Sequence, residues 1–163
     1  MIRRVRVGDG GRVRALRLEM LADTPLAFIT TLAEAAAMPH SESIGRTTRG
    51  ASGRQVGHFV AEDGKLLVGQ VIAVESTSDP GVTMLFAIYV SPAYRGTAVL
   101  PGLIDAAAAW SVECGRTILE LEVVTRNKRA ARAYRKLGFQ SIGSPVAHPT
   151  ISTLTEQIMS RSC

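Results

Sequence analysis

The stretch Y-V-S-P-A-Y-R-G-T-A-V-L-P-G, Tyr89 to Gly102, decides how this chain is read. It joins an apolar, strand-like run, Val82 to Val90, to a helix whose apolar face is Val99, Leu103, Ala106 or Ala107, and Trp110. A strand that turns through Arg95-Gly96-Thr97 into a helix sets unpaired N–H groups and the positive end of the helix dipole beside the turn. That is a cradle for an anion. Many strand-to-helix turns carry Arg and Gly, so the turn alone names no ligand.

Upstream of this stretch the hydrophobic period is two from Gln55 onward, with Asp63-Gly64 between two strand-like runs as a hairpin turn. Leu66 to Val74 is broken by Asp79-Pro80-Gly81, and Val82 to Val90, apolar almost throughout, reads as a central strand covered on both faces. These three runs make an antiparallel meander. Nearer the start, Ile2 to Val7 alternates apolar residues with arginine as an edge-exposed strand would. Val13, Leu16, Met20 and Leu21 form the stripe of an amphipathic helix ending before Pro25. Thr31 and Glu34 have capping-box spacing in a short helix closed by Pro39, and Ser41 to Gly53 reads as another short helix or a loop. Downstream, Gly115 stops the central helix, Thr117 to Val124 is a strand, and Asn127 to Leu137 is a helix stopped by Gly138. Phe139 to Val146 and Ile151 to Met159 supply two final strands. No repeat, linker or boundary divides residues 1–163, so a single domain is expected.

The composition narrows the function classes. The chain has 163 residues, of which 46% are hydrophobic, which suits one globular domain and excludes a disordered chain. Its densest apolar stretch, Leu103 to Trp110, contains Asp105 and falls short of the roughly 20 residues of a membrane span. No apolar segment follows the basic start, so no signal peptide is read there. Cys114 and Cys163 form neither a disulfide framework nor a metal-ligand spacing, which fits a reducing cytoplasm, and His40, His58 and His148 are too scattered for a metal site. The net charge of +5 favours an anionic partner: nucleic acid, a membrane surface or a phosphorylated small molecule. Without an aromatic-and-basic stacking face, nucleic-acid binding rests on charge alone.

A second segment, N-K-R-A-A-R-A-Y-R-K-L-G-F, Asn127 to Phe139, puts Asn127, Ala130 or Ala131, and Tyr134 on one helix face. The alanines let something approach the helix closely, although a packed helix with a core tyrosine has the same pattern.

In this order, with one strand between them, the two segments resemble the signature of the GNAT superfamily of acyl-CoA-dependent N-acetyltransferases. There the first segment reads V-x-P-x-x-R-G-x-G-x-G and holds the pyrophosphate of coenzyme A. The second reads N-x-x-A-x-x-x-Y-x-x-x-G-F and lies along the pantetheine arm. R-L-E-M-L-A-D-T-P-L-A-F, Arg17 to Phe28, is similar to the first helix and acceptor-side loop of many bacterial members. The resemblance implies an α+β, three-layer fold: a mixed, mostly antiparallel sheet of about six to seven strands, splayed centrally and flanked by about four helices. It further implies acetyl transfer from acetyl-CoA to a primary amine by direct attack, in a cytoplasmic protein that forms a homodimer through its final strands or exposed sheet edge.

The resemblance also assigns residues. Backbone groups of Ile88, Tyr89 and Val90 would pair with pantetheine, one N–H polarising the thioester carbonyl. Arg95, Gly96, Thr97, Ala98, Val99 and Leu100 would hold the pyrophosphate, Asn127 and Ala131 would meet the arm, and Tyr134 would protonate the departing thiolate. Arg126, Lys128, Arg129 and Arg132 would lie beside the phosphates. Glu120 and Glu122, alternating with leucines on one strand face, are the candidates for the base that deprotonates the amine, with Glu75 weaker; solvated sheet glutamates show the same pattern. Ala98 and Leu100 replace the two later glycines of the phosphate loop, and Pro101 follows. A positive φ at Ala98 would be strained, and a donor lost at Pro101 would cost about 1.5–3 kcal/mol, although proline suits a first helical turn. These departures motivate an alternative: a non-catalytic or altered-acyl member that binds CoA thioesters poorly.

Overall fold

The computed structural model describes residues 1–163, the side chain of Leu26 excepted. Eight strands form one sheet: β1 (Ile2–Arg4), β2 (Val56–Asp63), β3 (Leu66–Glu75), β4 (Val82–Val90), β5 (Ile118–Val124), β6 (Gln140–Ser141), β7 (Val146–Ala147) and β8 (Thr155–Ser162). Their order is β1-β2-β3-β4-β5-β8-β6, with β7 also pairing with β8. Every pairing is antiparallel except β4 with β5.

The five α-helices are α1 (Gly10–Asp23), α2 (Leu32–Ala37), α3 (His40–Ala51), α4 (Val99–Glu113) and α5 (Lys128–Lys136). One face of the sheet carries α4 and α5 over a core that includes Phe59, Leu103, Trp110, Leu119, Phe139 and Met159. The other carries α1, whose Leu16, Met20 and Leu21 pack on Val60, Leu67 and Tyr89. The strand period makes the two cores: Leu119, Leu121 and Val123 of β5 are buried toward α4 and α5, while Glu120 and Glu122 take the opposite face. Among the described residues no helix is long and apolar enough to cross a membrane.

Several sequence expectations change. Ser41 to Gly53 contains the helix α3, which seats so closely on β2 that a Cβ at Gly50 would lie 2.5 Å from the His58 Cβ. The last segment yields three strands, because Gly143, with φ of +63°, and Pro145 split Phe139 to Val146 into β6 and β7, both along the edge of β8. The Ile2 to Val7 strand ends at Arg4, and the arginines within it, Arg3 and Arg4, are half-buried while Arg6 beyond it is exposed. Arg3 donates to Asp9 at 2.6 Å and to Glu62 at 2.7 Å, and Arg12 reaches the same two carboxylates. Finally, β4 is not covered on both faces. Phe86 is 45% exposed, because β4 pairs with β5 only over Val82–Leu85 and Ile118–Leu121.

Candidate active site

Beyond Leu85 and Leu121 the two parallel strands part, and a cleft of about 690 Å³ fills the space between them. On one wall, β3 pairs Ile72 with Phe86 and Gln70 with Tyr89, so Val71 faces both Ala87 and Ile88. This is a β-bulge, and Ala87 adopts φ of +48° to make it, a left-handed conformation that costs an L-residue about 1–2 kcal/mol. The ladder on either side holds the strain in place. Ser91 N–H donates to Val68 on the β3 side. By the alternation of an extended strand, the N–H groups of Val90 and Ile88 point the other way, into the gap. The Tyr89 hydroxyl donates to Glu19 at 3.0 Å, and burial followed by that contact pushes its pKa up.

The opposite wall is the end of β5 and the helix α5. Asn127 caps α5, its Oδ1 accepting from Ala130 N–H at 3.1 Å, which leaves the side-chain NH₂ as a donor toward the cleft it lines. Ala130 and Ala133 line the cleft. Ala131 does not: at about 100° per residue it turns onto the core, where it is 8% exposed. Tyr134 also lines the cleft, its ring edge-on to Phe139 at 6.0 Å. Its hydroxyl has no hydrogen-bond partner among the described residues, and burial raises its pKa. Arg129, Arg132 and Lys136 stand at the rim; Arg126 and Lys128 lie outside it.

At the mouth, the turn into α4 carries Gly96 at φ of +77°, where any side chain would be strained although space is open. Among the described residues, the N–H groups of Gly96, Thr97 and Ala98 have no acceptor, and Thr97 Oγ1 braces the turn by donating to Tyr94 O at 2.6 Å. Ala98 sits at φ of −71°, so the strain considered for it is absent. Pro101 lies in the first turn of α4, where it forfeits no intrahelical bond. Leu100 lines the cleft, whereas Val99 packs against Gly69 and the core. Arg95 lines the cleft but spends its guanidinium inside the protein. Its Nε donates to Val90 O at 3.0 Å, its Nη2 pairs with Asp23, and the group lies 5.8 Å from the Tyr89 ring centre. It clasps the end of β4 to the end of α1.

The carboxylates divide. Glu122 lines the cleft, Glu120 lies outside it, beside Met84, and Glu75 faces Arg116 at 3.9 Å. Sequence reasoning missed Glu156, which pairs across from Val124 and lines the cleft at 9% exposure. Burial, and then the nearby Glu122 charge, raises its pKa against the opposing influence of His148. His148 Nδ1 accepts from the N–H groups of Thr150 at 3.2 Å and Ile151 at 3.1 Å. The ring proton therefore sits on Nε2, which lies 3.7 Å from Glu156. The only sequence signal was an acidic residue on the last strand.

Residues 26–139 match the acetyltransferase (GNAT) family. An uncharacterised N-acetyltransferase of Methanocaldococcus jannaschii is 33% identical over 88 residues, which is 52% of this chain and 39% of that protein. The match thus spans about two fifths of that curated relative. Among solved structures, an acetyltransferase of GNAT family from Streptococcus pneumoniae aligns over 99% of this chain and 98% of its own, at 20% identity and a TM-score of 0.81. The yncA protein of Salmonella typhimurium, solved with its cofactor acetyl-CoA, aligns over 99% of this chain and 92% of its own, at 14% identity and a TM-score of 0.80. These two likenesses carry the fold. The family match runs through the Tyr89–Gly102 turn and the Asn127–Phe139 helix that form the cleft, and by it the chain belongs to the acetyltransferase (GNAT) family.

Proposed function

We propose that the protein transfers the acetyl group of acetyl-CoA to a primary amine by direct attack. The observation that carries this reading is the parting of β4 and β5, which puts the inward amides of Ile88 and Val90 and the unpartnered Tyr134 hydroxyl in one cleft. The cleft fits the cofactor chemically. Three free N–H groups at Gly96–Ala98, with Arg129, Arg132 and Lys136 on the rim, suit a pyrophosphate and a 3′-phosphate. The small Ala130–Ala133 face and the Asn127 amide suit a narrow arm rich in amide groups.

When bound, acetyl-CoA supplies a thioester whose acetyl carbon gains a bond to the amine nitrogen as its bond to sulfur breaks. Ile88 N–H donates to the carbonyl oxygen as charge builds there. Tyr134, kept protonated by its burial, gives its proton to the sulfur. Glu156 takes the proton from the amine, its affinity for that proton raised by burial and by Glu122, with His148 Nε2 3.7 Å away. The base matters because a lysine-like amine, of pKa about 10.4, is neutral in only about one molecule in 2,500 at pH 7, a deficit of about 4.6 kcal/mol.

The second reading, a protein that binds CoA thioesters without transfer, rests on Pro101, which removes one N–H from the first turn of α4. We further infer one acyltransferase domain over residues 1–163 in a bacterial cytoplasm, supported by the two free thiols, and a homodimer through the exposed sheet edge. A thermal-shift titration tests the first step: at a hundred times Kd, acetyl-CoA should stabilise the fold by about 2.7 kcal/mol. No shift at millimolar acetyl-CoA or CoA would remove both readings. Thiol release across amines, amino acids, amine-containing antibiotics and peptides then separates transfer from binding.

A further inference from the structure

A second cavity, of about 350 Å³, lies between the sheet and the helices α1 and α3. His58, Gln70 and Ile72 form its floor. The strand register carries that face from Ile72 to Phe86 and Met84, and on to Glu120 and Glu122. The cavity therefore opens on the side of the sheet that holds the proposed base. Arg17 lines both this cavity and the cleft.

The charge of the cavity is one-sided. Arg14, Arg17, Arg46 and Arg49 line it, and no carboxylate does. His58 adds nothing, since burial pushes its pKa down to about 4 and its Nε2 is held by Gln70 at 3.2 Å. Arg14 is used structurally, donating to Met38 O at 2.6 Å and Ala36 O at 2.8 Å, and Arg46 pairs with Glu42 at 2.8 Å. Arg17 has no hydrogen bond or ion pair among the described residues, and its Nε is closed to solvent. Burial lowers its pKa below the usual arginine range, and the like charge of Arg46 lowers it further. A half-buried guanidinium with its Nε closed to solvent, beside another cation and with no acceptor among the described residues, carries a cost. One anion set against Arg17 removes both penalties at once.

We propose that this cavity receives the anionic group of the acceptor, so that the amine acetylated belongs to a small molecule carrying a carboxylate or phosphonate, which Arg17 contacts while the amine lies in the cleft. This specifies the acceptor of the acetyl-transfer reading and rests on it. The size of the cavity suits an amino-acid-like molecule, and its arginines disfavour polyamines and other cationic acceptors.

The test compares the standard amino acids and an aminoalkylphosphonate with their carboxamide or decarboxylated counterparts. Binding is followed by calorimetry and transfer by thiol release, in the wild type, Arg17→Met and Arg17→Lys. At least one anionic amine should bind and react tenfold or more better than its neutral counterpart. The preference should vanish in Arg17→Met and return in part in Arg17→Lys, while acetyl-CoA stabilises all three proteins alike. Equal handling of charged and neutral partners by the wild type, or a preference that survives Arg17→Met, overturns the proposal and leaves acetyl transfer standing. An Arg17-dependent carboxylate preference in binding, without thiol release from any amine, supports the anion site and defeats the transfer reading.

Discussion

Replacing Tyr134 with phenylalanine isolates one proton. The hydroxyl has no partner among the described residues, so its removal orphans nothing, and the edge-to-face contact with Phe139 at 6.0 Å survives. Stability should therefore stay within about 1 kcal/mol of the wild type. Catalysis should not. A thiol of pKa about 8.5 leaving as thiolate at pH 7 lies about 1.5 units, or about 2 kcal/mol, above its protonated form, and a proton donor at the sulfur spares the departing group that free-thiolate state. About 2 kcal/mol is roughly thirtyfold in rate, and general-acid contributions begin at about a hundredfold. The variant should lose 30- to 100-fold in kcat with the acetyl-CoA affinity changed little, and the loss should shrink as the pH rises past about 8.5, where thiolate leaves without help. Continuous thiol release between pH 6.5 and 9.5, beside a melting curve, measures both. Unchanged turnover, or a deficit that is constant with pH, would refute the role given to the hydroxyl.

Other perturbations act on separate parts. Gly96→Ala meets open space but demands φ of +77°, a strain of about 1–2 kcal/mol, so acetyl-CoA should bind about tenfold more weakly in a calorimetric titration. Glu156→Gln should lower kcat/KM about a hundredfold and abolish the acidic limb of its pH profile. Because the folded-state pKa of Glu156 is raised, its ionised form weakens the fold as the pH rises through that pKa, and the variant should melt higher than the wild type at pH 7. Asp9 has the opposite sign. Chiefly through its bond to Arg3 its pKa falls from 3.8 to about 2, so it stabilises the fold above about pH 4 and ceases to as the pH falls through 2. Asp9→Asn should cost about 2 kcal/mol at pH 7 and nothing near pH 2, as read from urea unfolding at both values.

What could be read in advance was what the chain determines locally. Gly138, at φ of +87° after α5, and the Thr31–Glu34 capping box over α2 depend on residues within one turn, and each stands where its spacing put it; Asn127, read as the first helical residue, is instead the cap of α5. Ser41 to Gly53 holds few apolar residues, so its pattern fits a short helix or a loop alike; burial of Thr47 and Gly50, the latter against His58 of β2, makes it a helix by docking. Whether Ala130 or Ala131 faced the cleft could not be told from three- and four-residue spacing, since the answer depends on where the sheet lies. Glu156 escaped notice because Thr155-Glu156-Gln157 looks like surface, and its burial comes from the loop that brings His148 over it. Nothing within Phe86 to Val90 marks the parting from β5; that expectation came from the family resemblance alone.

The extra residue at Ala87 shifts the phase of β4. Phe86 and Tyr89, three apart, face the same side of the sheet, opposite Ile72 and Gln70, whereas an unbroken strand would put them on opposite sides. Straightening the bulge with Ala87 kept in the strand would thus work like a reading-frame error in side-chain direction. Tyr89 would leave the core under α1 and Ile88 would take its place, while the amide now aimed into the gap would turn toward β3. The bulge at Ala87, rather than the spacing along the chain, decides which of these side chains faces α1.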